Sequence, residues 1–160
     1  MVLKVSGSDG FIVMDERIHL TAATVVADNN CYLVVKETID GRQVINQPAG
    51  HVVPGENVIA AAVRETLEET GWIVRPSGFL GFTTYKSNSN DTTYYRATFC
   101  AEPVSEDPLQ AIDDQIDEVL WLSMAQIYGY QPMHRSPMVL DSFEQYEKQR
   151  IFPLDLFKTY

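Results

Sequence analysis

Three glutamates stand close together in the segment 50–72, which reads GHVVPGENVIAAAVRETLEETGW. Glu65, Glu68 and Glu69 are separated by steps of three and four residues, so a helix would present all of them on one face. Carboxylate oxygens are ligands that Mg²⁺ prefers. Three like charges on one helix face repel each other, and a bound cation would relieve that repulsion. An acidic helix face alone is usually a solvated surface, but Gly50, Arg64 and Gly71 stand at the spacing that a metal site requires, and together they favour a divalent metal site.

A metal held in this way suits the hydrolysis of a diphosphate, because a divalent cation neutralises phosphate charge and acidifies a bound water. Arg64 is next to Glu65 and four residues before Glu68, and we expect it to fix a carboxylate by a bidentate pair. Gly50 allows its loop to approach the helix closely and offers its carbonyl as a ligand. Glu56, one residue before the helix, is predicted to be structural and to interact with its positive end.

The same segment resembles the Nudix motif, G-x5-E-x7-R-E-U-x-E-E-x-G-U, in which U is a bulky aliphatic residue. All seven fixed positions match, and Thr66 and Trp72 depart only at aliphatic positions. The resemblance implies an α/β class Nudix fold, which is an α/β/α sandwich with a mixed β-sheet. It also implies catalytic residues that hold Mg²⁺, or Mn²⁺ as a substitute, with Arg64 orienting a glutamate. The implied metal ligands are Gly50, Glu65, Glu68 and Glu69.

Three further segments are similar to the NudJ-type branch of that family: 35–42 (VKETIDGR), 46–51 (NQPAGH) and 135–140 (RSPMVL). Members of that branch are small nucleoside di- and triphosphatases that also accept a pyrimidine pyrophosphate related to thiamine. The resemblance implies similar substrates here. The alternatives are hydrolysis of a dinucleotide or sugar nucleotide, such as diadenosine polyphosphate or ADP-ribose, and a nucleotide-binding regulator without turnover. Such regulators typically lose a glutamate or arginine of the motif, whereas this chain retains all of them.

Candidate residues outside the motif are less well defined. Gln47 and His51 flank the metal loop, and Arg135 precedes a late helix. All three are candidate phosphate ligands, although His51 also suits a structural hydrogen bond and Arg135 an exposed surface. The general base is either a glutamate of the motif or an acid on a later loop, where Asp117 and Glu118 precede a predicted strand. Three other cations are further candidate substrate ligands, although a surface position is favoured for each: Lys36, Lys86 and Arg96.

The elements that must position these residues follow from periodicity. Residues 57–70 are predicted to form a helix with Asn57 as N-cap and Gly71 at its end, and its apolar stripe comprises Ile59, Ala60, Val63, Thr66 and Leu67. Strands are predicted at 20–27, 31–36, 79–85, 92–101 and 119–122, with 103–117 irregular. Ser123 is predicted to cap a brief helix, and Ser136-Pro137 to open a second long helix that ends near residue 149. Seven aromatic residues of strand-like runs are core or base-stacking candidates: Tyr32, Phe82, Tyr85, Tyr94, Tyr95, Phe99 and Trp121.

Composition narrows the class of partner. The 160 residues are 45 % hydrophobic and 21 % charged, which suits one globular domain. Together with the resemblance, this implies one Nudix domain over 1–160, with a possible edge-strand extension at 1–18 and a C-terminal tail at 151–160 that packs back. A net charge of −10 disfavours nucleic acid. No run is apolar enough to cross a membrane, and no signal peptide is evident. We expect a cytoplasmic monomer or homodimer that binds a small nucleotide or organic pyrophosphate.

Overall fold

The computed structural model describes residues 19–87 and 91–159. The strands are β1 (His19–Asp28), β2 (Cys31–Ile39), β3 (Arg42–Asn46), β4 (Ala49–His51), β5 (Trp72–Lys86), β6 (Thr93–Glu106) and β7 (Ile116–Ser123). The helices are α1 (Val58–Thr70), α2 (Met124–Gly129) and α3 (Pro137–Glu147), with 3-10 turns at Gln131–Met133 and Leu154–Leu156. The predicted extension at 1–18 lies outside the described residues.

The sheet is mixed, because β1 runs parallel to β6 while the other strand pairs are antiparallel. Its order is β3-β2-β1-β6-β5, with β4 paired to β1 and β7 paired to β2. β1 and β2 pair only near their hairpin, at Ala27 opposite Tyr32 and Asp28 opposite Cys31. Further along, β1 pairs instead with β4, so that Ala22 lies opposite Gly50. The two halves of the sheet therefore diverge at Gly50.

Helices cover both faces of the sheet, and successive residues of β1 point to opposite sides. Ala22 packs with Ala61 and Ala62 of α1. Val25 packs on the other side with Ile127 of α2 and Phe143 of α3. This arrangement confirms the predicted α/β sandwich with a mixed sheet.

Helix α1 begins and ends as predicted, but the prediction of its buried face is partly wrong. Asn57 Oδ1 accepts hydrogen bonds from the N–H groups of Ile59 and Ala60, and Gly71 adopts a left-handed φ of 73°. Ala60 is exposed, whereas the buried residues are Ala61, Ala62, Thr66 and Thr70. The prediction from periodicity favoured bulky side chains on the buried face. In the structure small side chains are buried there, and they allow the helix to lie close to the sheet. The helix glutamates consequently come close to the strands.

The β5–β6 hairpin is longer than predicted. β5 begins at Trp72 and β6 continues to Glu106, while β7 begins at Ile116, so the prediction of an irregular segment at 103–117 is wrong at both ends. Pro76 and Pro103 lie inside these strands, where proline is normally disfavoured. They are accommodated because the pairing register shifts next to both residues, and bulges tolerate proline.

The C-terminal tail packs on the sheet, as predicted. Phe79 and Phe152 exchange two backbone hydrogen bonds of 2.8 Å. The ring of Phe157 contacts those of Phe79 and Phe99 at centroid distances of 4.8 and 5.1 Å.

Candidate active site

An open cleft of about 1090 Å³ lies where the two halves of the sheet diverge. Its volume slightly exceeds the usual range for small-molecule sites, roughly 300–1,000 Å³. α1, β4, β2, β6 and the segment that leads into α3 all contribute to its wall. Five residues predicted to be functional line it: Gly50, His51, Glu65, Glu69 and Arg135.

Strand β4, where a loop was predicted, and helix α1 meet at Gly50. A Cβ atom at this position would fall within 3.0 Å of the carboxylate of Glu65, so only glycine leaves room for that carboxylate. One residue earlier, the backbone N–H of Ala49 donates a 2.9 Å hydrogen bond to Oε2 of Glu69. Two of the three helix glutamates therefore lie directly against β4.

Arg64 connects the acids of the motif. Its Nε and Nη2 donate to the two carboxylate oxygens of Glu56 at 2.8 Å each, and this is the bidentate pair. Its Nη1 donates to Glu65 at 2.7 Å and to Glu68 at 2.9 Å. Glu56 was predicted to interact with the helix end, but it binds Arg64 and accepts from the N–H of Val53. Glu56 therefore holds the arginine that contacts two helix glutamates of the motif.

The helix glutamates differ in electrostatic environment. Burial raises the pKa of Glu65, although Arg64 opposes the shift. Burial raises the pKa of Glu69 to about 8, because the single hydrogen bond from Ala49 does not compensate for lost solvation, and Glu37 and Glu65 add negative charge nearby. Negative charge at Glu69 is therefore unfavourable at neutral pH without a cation.

The wall of the cleft also carries two arginines, Arg96 and Arg135. Arg135 Nη1 lies 2.5 Å from Oε2 of the buried Glu37. Arg96 is only 6 % exposed, and its hydrogen bonds to Thr21 Oγ1 and Asn46 Oδ1 are long, at 3.4 Å each. Burial lowers the pKa of Arg96 to about 10, so the guanidinium stays charged at neutral pH. The expectation that Arg96 lies at the surface was wrong. An arginine in the otherwise apolar run YYRATFCA was the signal in the sequence.

A NUDIX domain model matches residues 17–142. The chain belongs to the Nudix hydrolase family. The phosphatases NudJ of Escherichia coli K12 and Shigella flexneri are each 36 % identical to this Nudix chain over 138 residues, which cover 86 % of it and 89 % of each relative. This enzyme is therefore a Nudix pyrophosphohydrolase similar to the NudJ phosphatases.

Solved structures agree with the Nudix assignment. A Nudix hydrolase from Nitrosomonas europaea is 39 % identical, with a TM-score of 0.87 over 90 % of this chain and 98 % of that one. A MutT Nudix hydrolase from Burkholderia pseudomallei, 19 % identical, shares the fold with a TM-score of 0.66 over 81 % of this chain and 98 % of that one. In the described parts of this Nudix enzyme, every helix is too short or too polar to span a membrane.

Nudix hydrolases generally use a divalent metal, and the donors here suit a hard cation because all are oxygens. Two of the carboxylates, Glu65 and Glu69, are withdrawn from solvent, so a cation would compensate their charge. However, no three histidine, cysteine, aspartate or glutamate side chains converge at metal-ligand spacing within residues 19–87 and 91–159. The hydrogen bonds from Arg64 to Glu65 and Glu68 explain this, because they direct both carboxylates to the guanidinium.

The structure does not bring Glu118 or Asp117 into the Nudix cleft. Glu118 pairs with Lys36 Nζ at 2.5 Å, and Asp117 accepts a 2.6 Å hydrogen bond from Thr38. The pairing register of β2 and β7 shifts between Lys36 and Glu37, and it is Glu37 that lines the cleft. The acid that lines the cleft from the segment between β6 and β7 is Asp113, whose backbone N–H donates to the carbonyl of Glu68 at 3.0 Å.

The other candidate ligands differ in whether they line the cleft. Gln47 is fully buried and absent from the cleft wall, and its amide atoms have no partner among the described residues. His51 lines the cleft, with Nε2 at 3.1 Å from Nδ1 of His19. Of the seven aromatic residues considered, only Tyr85 and Tyr94 line it, from paired positions on β5 and β6.

Proposed function

We propose that this Nudix hydrolase uses Mg²⁺, or Mn²⁺ in its place, to hydrolyse a phosphate anhydride in nucleoside di- or triphosphates or in a pyrimidine pyrophosphate of the thiamine-precursor type. The observation that carries the proposal is the packing of Glu65 and Glu69 against β4 at the wall of an open cleft. The similarity to NudJ phosphatases supports the choice of substrate class.

The residues that would hold the cation are the carboxylates of Glu65, Glu68 and Glu69 and the carbonyl of Gly50. The cation, when bound, neutralises phosphate charge and acidifies the attacking water. Arg64 donates hydrogen bonds to Glu65 and Glu68 and is itself oriented by Glu56. Arg64 would therefore position two of these carboxylates for the cation.

Water activation requires a proton acceptor within hydrogen-bond reach of the reacting water. Glu118 and Asp117 lie outside the cleft wall, so we assign the role of loop acid to Asp113. The Asp113→Asn enzyme should lose kcat by at least about tenfold, because general acid–base catalysis typically contributes 10²–10⁴-fold. Glu118→Gln is the matched control and should keep wild-type kcat. Equal kcat in both variants would leave the role to a glutamate of the motif.

Tyr85 and Tyr94 are proposed to bind the organic part of the substrate. They occupy opposite positions on adjacent strands and line the same cleft. Aromatic faces stack on heteroaromatic rings. A nucleobase or pyrimidine ring would therefore lie at the β5–β6 side of the cleft.

The test is phosphorus NMR of the products formed with Mg²⁺ from nucleoside tri- and diphosphates, the thiamine-precursor pyrophosphate, ADP-ribose and diadenosine polyphosphate. We expect orthophosphate from the substrates with one organic group. Cleavage confined to ADP-ribose or the dinucleotide would move the enzyme to another substrate class. Binding of nucleotides without any cleavage would contradict a hydrolase.

A further inference from the structure

The Arg96 guanidinium is a buried charge without an acidic partner at hydrogen-bond distance among the described residues. Its contacts are the Thr21 hydroxyl and the Asn46 side-chain carbonyl, both neutral and both at 3.4 Å. Glu37, the buried acid of the same cleft, is paired with Arg135 instead. Buried charges are normally paired or hydrogen-bonded, because losing solvation without compensation is unfavourable. A residue of this kind in a cleft wall indicates a ligand of opposite charge.

Other unsatisfied groups lie near Arg96 or in the same cleft. Ser136 lines the cleft, is 8 % exposed, and has a buried hydroxyl that lacks a hydrogen-bond partner among the described residues. Asn46, which contacts Arg96 through its carbonyl oxygen, has a buried Nδ2 without a partner in the same part of the chain. Arg135 precedes Ser136 and lines the cleft as well. The surroundings of Arg96 and Arg135 therefore contain polar groups that the described residues leave without a partner.

We propose that Arg96, together with Arg135 and Ser136, forms a subsite for the free terminal phosphate of the substrate. This inference rests on the proposed function, in that the cleft is the active site. Arginine suits the role, because its planar fork binds phosphate oxygens in pairs. A terminal phosphate brings more charge and more free acceptor oxygens than a phosphodiester does, and thus matches a wall with several donors.

The position of Arg96 in the sheet agrees with this role. Arg96 lies opposite Thr21, and Thr21 lies opposite His51, the residue after Gly50. Adjacent strands are about 4.8 Å apart, so the Arg96 backbone is roughly 10 Å from that of β4. A polyphosphate can then extend from the carboxylates towards Arg96.

The subsite would select substrates with one organic end. Nucleoside di- and triphosphates and the thiamine-precursor pyrophosphate have a free terminal phosphate, whereas ADP-ribose and dinucleotides have organic groups at both ends. We therefore expect a preference in kcat/KM for the first group, and we expect this preference to depend on Arg96.

The first experiment measures inorganic pyrophosphate binding in EDTA, by calorimetry, so that no metal or turnover contributes. Arg96→Met should weaken binding by tenfold or more. Arg75→Met is the matched control, because Arg75 is a surface arginine of the neighbouring strand, paired with Glu102, and it should bind like wild type. If Arg96→Met does not fold, Arg96→Lys and the more exposed Arg135→Met replace it. Unchanged affinity in the folded variants would overturn the subsite.

The second experiment compares kcat/KM for a nucleoside triphosphate and for ADP-ribose with Mg²⁺. Arg96→Lys should reduce the ratio of the two values by about tenfold or more. An unchanged ratio in an active enzyme would refute the subsite and leave the proposed function standing. A third outcome combines two results: pyrophosphate binds in EDTA in a way that depends on Arg96, and the wild-type protein cleaves none of the substrates. That outcome would refute the proposed function and keep the anion site.

Discussion

Replacing Gly50 by alanine separates catalysis from folding. The backbone φ of Gly50 is not in the left-handed region, so alanine can adopt it. The new Cβ would nevertheless fall well within 3.0 Å of both carboxylate oxygens of Glu65. That carboxylate is the far end of a flexible side chain, and we expect it to move by roughly 1 Å while the backbone stays in place.

The expected effects differ by orders of magnitude. A displacement of about 1 Å at a positioning group costs on the order of 100-fold in rate, which corresponds to about 2.7 kcal/mol. Stability should change by no more than about 1 kcal/mol. The weakened pair between Glu65 and Arg64 costs up to about 1 kcal/mol, and glycine-to-alanine replacement returns about 0.4–1 kcal/mol through the unfolded chain.

The assay is kcat at saturating substrate and Mg²⁺, together with urea unfolding of the same preparation. Gly81→Ala is the matched control, because Gly81 also lies in a strand and a Cβ there meets nothing within 4 Å. We expect Gly81→Ala to keep wild-type kcat. A Gly50→Ala enzyme with wild-type kcat would refute the reasoning that this glycine makes room for a catalytic carboxylate. Loss of folding in Gly50→Ala would refute the claim that the Glu65 side chain can yield.

Three further perturbations test the surroundings of the site. Glu56→Gln removes the charged bidentate partner of Arg64 and should lower kcat by about tenfold. The dependence of the rate on Mg²⁺ is the control measurement. An unchanged kcat would show that Arg64 does not need Glu56 to hold it in place. Burial raises the pKa of Glu69 to about 8. The apparent affinity for Mg²⁺ should therefore rise by up to tenfold for each unit of increasing pH below about pH 8. Without Mg²⁺, the free energy of unfolding should fall as the pH rises from 4.5 towards 8. Calorimetry and unfolding at several pH values check both trends, which should flatten in Glu69→Gln. Thr66→Val removes a buried hydroxyl that is hydrogen-bonded to Thr24 Oγ1 and to the carbonyl of Ala62, at 2.7 Å each. The free energy of unfolding, measured by urea denaturation, should fall by about 1–3 kcal/mol. An unchanged value would show that these hydrogen bonds do not contribute to stability.

The sequence predicted the features that depend on local spacing. Helix α1, its capping Asn57 and the common face of its three glutamates follow from a period of 3.6 residues. The identity of the fold followed from the motif. The partners of Arg64 were only partly predictable, because Glu56 reaches it through the turn before the helix.

Features that depend on strand pairing could not be read from spacing alone. Glu118 was a candidate because the resemblance implies an acid before this strand, but Glu118 pairs with Lys36 and it is Glu37, beyond a register shift, that lines the cleft. Arg96 lies in the cleft wall because β6 pairs with β1 in parallel. This pairing places Arg96 opposite Thr21, 75 residues earlier in the chain. Asp113 is held by a hydrogen bond to α1, and no pattern in its acidic segment distinguishes it from its neighbours.

The most direct test of the central claim is the initial rate of orthophosphate release from a nucleoside triphosphate, measured against Mg²⁺ concentration for wild type, Glu65→Gln and Glu102→Gln. Glu102 is a surface acid paired with Arg75 and serves as the matched control. We predict a rate that saturates with Mg²⁺ and vanishes in EDTA for wild type and Glu102→Gln, and a rate lower by about 100-fold or more for Glu65→Gln. Equal rates in EDTA and Mg²⁺, or equal rates in the two variants, would contradict a metal-dependent hydrolase centred on this cleft.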